Sequence, residues 1–156
     1  MITRRLLILE RLGALVEVIT IAHGYDSDAG AAVYIGTAPE LAQGDPDFAI
    51  AIVPGNELSV EQGRLSNTFV VEVQAIGKAA AAEAWIVLEM LLGDIKRAIE
   101  LEDRTLGSIL KGVMTRGSTR TLERPPGSTT IGLGVSYTCP YLDEWGNPAY
   151  GVPEAT

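Results

Sequence analysis

The longest regular pattern in the chain lies between Ala79 and Leu101, where Trp85, Leu88, Leu92, Ile95 and Ile99 recur at steps of three and four. That spacing sets them on one stripe of an α-helix roughly 34 Å long at about 1.5 Å per residue. Val87, Met90 and Leu91 widen the apolar surface, so two sides of this helix are expected to find partners. Asp94 with Arg97 at i,i+3, and Lys96 with Glu100 at i,i+4, are expected to face solvent and support the helix weakly. Gly93 costs about 1 kcal/mol against alanine in a helix interior, which predicts close backbone approach by a neighbour.

A second helical pattern runs from Ile2 to about Ile19, with Thr3 as N-cap and Ile8, Leu12, Leu15 and Ile19 on one face. Leu6, Leu7 and Leu9 leave little polar surface at its start, so that end is expected to be covered. Ala22–Ala31 reads as a turn-rich connection, Ala32–Thr37 as a short strand, and Ala38–Pro46 as a loop. Phe48, Ile50 and Ile52 alternate with Ala49 and Ala51, which predicts a strand that Pro54-Gly55 ends. Asn56–Asn67 then reads as a polar loop, too long for a tight hairpin turn.

Thr68–Ile76 is the clearest strand, with Phe69, Val71, Val73 and Ala75 facing one way and Val70, Glu72 and Gln74 the other. Beyond the long helix, EDRTLGSILKG reads as a loop or short helical turn. Val113–Leu122 is expected to be extended, placing Arg116, Ser118, Arg120, Leu122 and Arg124 on one face. Pro125-Pro126-Gly127 makes a turn into a last strand, Thr129–Cys139, with Ile131, Leu133, Val135, Tyr137 and Cys139 inward and Pro140 closing it. The order is helix, two or three strands, long helix, two strands. It predicts an α+β fold: a mostly antiparallel or mixed sheet of four to five strands with two helices on one face. One domain is expected over 1–141, followed by an irregular tail over 142–156 that carries an exposed Trp145.

Charge adds what periodicity does not. The net charge of −8 argues against simple nucleic-acid binding, which needs a basic footprint. From Leu12 to Gly63 there is no Lys or Arg, while Glu17, Asp26, Asp28, Glu40, Asp45, Asp47, Glu57 and Glu61 are acidic. Lys111, Arg116, Arg120 and Arg124 form a basic arm relieved only by Glu123. Two surfaces of opposite sign suit docking to an acidic partner or to a neighbouring copy. Solvated charges protecting a sheet edge explain the arginines as well. The interface candidates are therefore Lys111, Arg116, Arg120, Arg124, Asp45, Asp47, Glu57 and Glu61.

Catalytic signals are weak. His23, Asp26 and Asp28 lie close together, but no acidic residue completes a calcium loop, and turn chemistry accounts for the aspartates. Cys139, the only cysteine, is expected on an inward strand face as a small hydrophobe rather than a nucleophile, and it fits a reducing compartment. Gly132-Leu133-Gly134 lacks a third glycine and a following helix, and no P-loop, HExxH or GxSxG motif occurs. No enzymatic activity, cofactor or metal is expected. The arginine-led N-terminus is interrupted by Glu10, Arg11 and Glu17 with no cleavage site after it, so it reads as a helix and not a signal peptide. The longest apolar run is too short for a bilayer span.

The N-terminal helix, the early loop HGYDSDAGAAVYIG, the strand ending in IAIVPG, FVVEVQAIG leading into the long helix, LLGDIKRAIELEDRTLG, and the final PPGSTTIGLGVSY keep a characteristic order. Over about Ile2 to Tyr141 that layout resembles the tail terminator (tail completion) proteins of long-tailed bacteriophages. The resemblance implies a homo-oligomeric, hexameric ring in the virion, at the head-proximal end of the tail, assembled in the host cytoplasm. Such a ring would bind the tail-tube protein, stop tube polymerisation and offer a surface to the head–tail connector or stopper protein. DNA would pass through the lumen without specific binding, and an acidic lumen would suit that. The family supplies no catalytic residues. A head–tail joining or neck protein would share the ring and differ in partner, whereas a small ligand-binding domain would need a polar pocket.

Overall fold

The computed structural model describes residues 2–37, 41, 44–78, 83–122 and 130–153. Its centre is a five-stranded mixed sheet of order β1-β2-β3-β5-β4: β1 (Val33–Ile35), β2 (Phe48–Gln62), β3 (Arg64–Lys78), β4 (Thr115–Thr121) and β5 (Thr130–Asp143). Only the β1·β2 pair is parallel. Helices α1 (Arg4–Val16) and α2 (Ala84–Glu100) complete an α+β fold.

Alternation within the strands decides which face is covered. Ile50 and Ile52 of β2, Phe69, Val71, Val73 and Ala75 of β3, and Leu133, Val135, Tyr137 and Cys139 of β5 are buried together. Against them pack Ile8, Leu12 and Val16 of α1 and Leu91, Ile95, Ala98 and Ile99 of α2. Helix α1 starts at the expected cap: Leu6 N donates to Thr3 Oγ1 at 3.1 Å. The segment after α2 is folded by Asp103, which accepts from Thr105 N and Gly107 N at 2.9 Å each, and it delivers Leu106, Ile109, Leu110 and Met114 to the core.

Several expectations need correction. Pro54-Gly55 does not end β2, and Asn56–Asn67 is not a loop. β2 continues past a register shift between Pro54 and Glu57 and returns as β3 through Gly63, whose φ of +79° suits glycine. Proline is tolerated because β1 pairs only with Ile50–Ile52, so β2 is an edge strand from there on. Pro140 likewise lies within β5, which runs to Asp143, and its carbonyl accepts from Lys111 N, shortly before β4 begins.

The buried arc of α2 also differs from the expected stripe. It contains Leu91, Asp94, Ile95, Ala98 and Ile99, whereas Trp85 is 67% exposed. A small residue and a carboxylate in the middle of the arc concealed it. Asp94 does not face solvent: it is 1% exposed, accepts from Asp26 N at 3.1 Å and from Ser27 Oγ at 2.7 Å, and keeps Arg97 at 3.9 Å. Glu100 turns to Arg116 and Tyr137, not to Lys96. Among the described residues nothing comes within 4 Å of a Cβ placed on Gly93, so no described backbone approaches there.

The chain after β5 has no further helix or strand among the described residues but is tied down. Arg4, 8% exposed, donates its backbone N–H to Pro148 O at 2.8 Å and its guanidinium to Tyr150 O at 2.7 Å and to Ile109 O. Burial holds this guanidinium below its ordinary pKa. The first residues of the 79–101 helical expectation, the 125–127 turn, Glu40, Glu123 and Arg124 lie outside the described residues.

Candidate interaction surface

Within the basic arm, Arg116 and Arg120 lie on the edge strand β4, exposed throughout. Its arginines do not share a face. Arg116 stands opposite Tyr137 and Arg120 opposite Gly134, with a register shift between Arg116 and Thr119. An extra residue in a strand turns the side chains beyond it to the other face. Arg116 thus lies on the helix-covered side and pairs with Glu100 at 3.1 Å. Arg120 lies on the opposite side and makes two bonds of 2.7 Å to Glu72. Lys111 is exposed, shortly before β4 begins.

The acidic candidates are also separated. Asp45 and Asp47 lie beside Lys78, whose Nζ donates to Asp45 O and whose backbone N donates to Asp47 O. Glu57 and Glu61 sit far along β2, the latter about 45 Å from Asp47 at roughly 3.3 Å per strand residue. Glu57 accepts from Tyr141 Oη at 2.5 Å. Burial, then these carboxylate contacts, push the Tyr137 and Tyr141 hydroxyls well above their ordinary range.

Glu72 carries a testable electrostatic consequence. Its bond to Arg120 lowers its pKa from the ordinary 4.5. A depressed native pKa means that the contribution is fully present above about pH 4.5 and is lost as pH falls through the lower native value. Because the Arg120 side chain is 58% exposed, the stability difference between wild type and Glu72→Gln is expected to stay below about 1 kcal/mol at neutral pH. Urea titrations should show it shrinking on acidification. A difference constant down to about pH 3 would reject the assignment.

The remaining sequence candidates have structural duties. His23 Nδ1 lies 2.6 Å from Thr20 Oγ1, and Asp28 Oδ1 accepts from Ile21 N at 2.8 Å. Burial pushes the Cys139 thiol up to about 12, leaving negligible thiolate. Among the described residues no helix is long and apolar enough to cross a membrane.

What the pattern of motifs missed is the uncovered side of the sheet. At one end Leu41 covers Ala49 and Ile76. Toward the β2–β3 turn the rows Val60–Ser66–Leu142 and Leu58–Thr68–Pro140 belong to neither buried cluster of the described residues. Leu58 is 68% and Val60 46% exposed. An open groove of about 420 Å³ lined by Gly63, Arg64, Ser66, Lys111 and Leu142 runs beside them. The period-two pattern Leu58-Ser59-Val60-Glu61 was the available signal, overridden by Pro54-Gly55.

No family model matches this chain. No curated protein matches it either. Among solved structures, the chain is similar to one from the virion of a native gene transfer agent (GTA) particle. The identity is 14% and the TM-score 0.38, over 85% of this chain and 84% of that chain.

Proposed function

We propose that this protein is a structural component of a phage-like virion, a tail terminator whose copies form a ring on the head-proximal end of the tail tube. The reading rests on the order of the sequence features from the N-terminal helix to the final strand. The observation that supports it best is the exposed half-sheet around Leu58 and Val60, an apolar surface with a basic rim. A ring needs one patch to bind a different patch on the next copy. Lys111 lies at the margin of this surface; Glu57 and Glu61 alternate to the opposite, helix-covered side of β2, where Glu57 accepts from Tyr141 Oη, and Arg116 and Arg120 already hold carboxylates of their own chain.

The decisive experiment adds the purified protein to growing tail-tube protein and images the products. Capped tubes of restricted length are expected, and light scattering of the protein alone should show closed species of about six copies. Tubes that grow at an unchanged rate and carry no density at their ends would reject the terminator reading.

A further inference from the structure

We infer that the exposed half-sheet around Leu58, Val60 and Leu142 is the seat for the first turns of α2 of a second copy of this chain, anchored by Trp85. This inference deepens the ring reading and rests on it.

The seat has an apolar floor and a cationic rim. Directly paired residues in a sheet share a face, so Val60 stands beside Ser66 and Leu142, and Leu58 beside Thr68 and Pro140. Arg64 and Lys111 border the groove at that edge. Lys111 makes no ion pair with a described residue, and Arg64 reaches Glu144 only at 3.7 Å between two half-exposed side chains.

The start of α2 presents the complement. Trp85 is 67% and Ile86 52% exposed, although both sit in an otherwise well-packed helix. Glu89 follows Trp85 at i,i+4 and Glu83 precedes Ile86 at i,i+3, so each carboxylate neighbours an apolar anchor on the helix surface. Both glutamates are exposed, and neither makes an ion pair with a described residue. An aromatic anchor ringed by charge is the composition of a binding hot spot. Two carboxylates meeting Arg64 and Lys111 set the sign of the docking.

The two patches cannot meet within one copy. A Cβ on Gly77 would lie 3.6 Å from Leu91, so Leu91 packs at the Lys78 end of β3 and Trp85, about 9 Å earlier along the helix, lies toward or past that end. Ser66 is about 36 Å away along the same strand. Patches at opposite ends of a molecule make a head-to-tail contact, which propagates into a ring or a filament.

The test uses Trp85→Ser, which removes the anchor, and Val60→Glu, which spoils the seat, in the full chain. Both positions are exposed, and unchanged circular dichroism verifies folding. By light scattering the wild type is expected to exceed the 16.6 kDa of one chain, and each variant alone to remain a monomer. An equal mixture should stop at a dimer, because only one intact anchor and one intact seat remain. Glu89→Lys and Lys111→Glu should each weaken assembly and restore it when combined. Wild-type oligomers that persist in both Trp85→Ser and Val60→Glu would overturn the seat and leave the ring reading standing. A wild type that is monomeric up to about 1 mM, where even a millimolar contact is well populated, would overturn self-docking. Tube capping then judges the terminator reading separately.

Discussion

Asp94→Ala is expected to lower the unfolding free energy by about 3 kcal/mol, because it leaves the buried Ser27 hydroxyl and the part-buried Asp26 N–H without an acceptor. The Asp94 carboxylate joins α2 to the 24–29 segment through Asp26 N and Ser27 Oγ. Arg97 extends the junction, donating to Gly24 O at 3.1 Å and lying 4.7 Å from the centre of the Tyr25 ring. Alanine removes the hub of that arrangement without changing the helix propensity unfavourably. Asp94→Asn keeps one acceptor oxygen and is expected to recover about half of the loss. Urea denaturation measures both. A loss under about 1 kcal/mol for alanine would mean that water replaces the carboxylate and that the junction is dispensable.

Gly30→Ala is the second large effect, and its cause is space rather than hydrogen bonding. Gly30 N donates to Ile19 O at 2.8 Å, which draws the 29–31 turn onto the end of α1. A Cβ there would stand 2.7 Å from Glu17 O and 2.8 Å from Ile19 N, and closer still to Val16 O. These are backbone atoms, so no side-chain rotation relieves them. Overpacking of this kind costs about 3 kcal/mol. The expected thermal shift is several degrees downward, with Ala31→Gly, at the neighbouring position, changing stability by less than about 1 kcal/mol. Equal effects for the two substitutions would refute the close-approach explanation.

Both sites show where local pattern stops being informative. Asp94 belongs to the sequence pattern of an i,i+3 surface pair with Arg97, and the pair does form, at 3.9 Å. The donors that claim the carboxylate come from a segment nearly seventy residues earlier, and nothing in the helix itself predicts them. The arginine row failed for a related reason. Period two holds only while a strand pairs without interruption, and the register shift after Arg116 falls at Gly117, where a Cβ would stand 2.6 Å from Ser136 Oγ of β5.

The seat around Leu58 and Val60 was hidden by a rule that is sound elsewhere. Proline followed by glycine marks a turn unless the strand lies at an edge, and edge status depends on where β1 stops. Periodicity turns Trp85 inward because large apolar residues dominate the pattern, while the buried arc is built around Ala98 and Asp94.

By itself, the sequence determined the α+β class, the two helices, the Thr3 cap, and the inward faces of β3 and β5. These follow from period and capping, which act over one or two turns or a few alternations. It also set the charge asymmetry, since that is a matter of composition along the chain. Only the tertiary structure decided which strands are edges, which carboxylates are consumed internally, and which apolar side chains are left without cover. Those properties depend on pairings between segments distant in sequence, and the free energy of burial is assigned only when the elements meet.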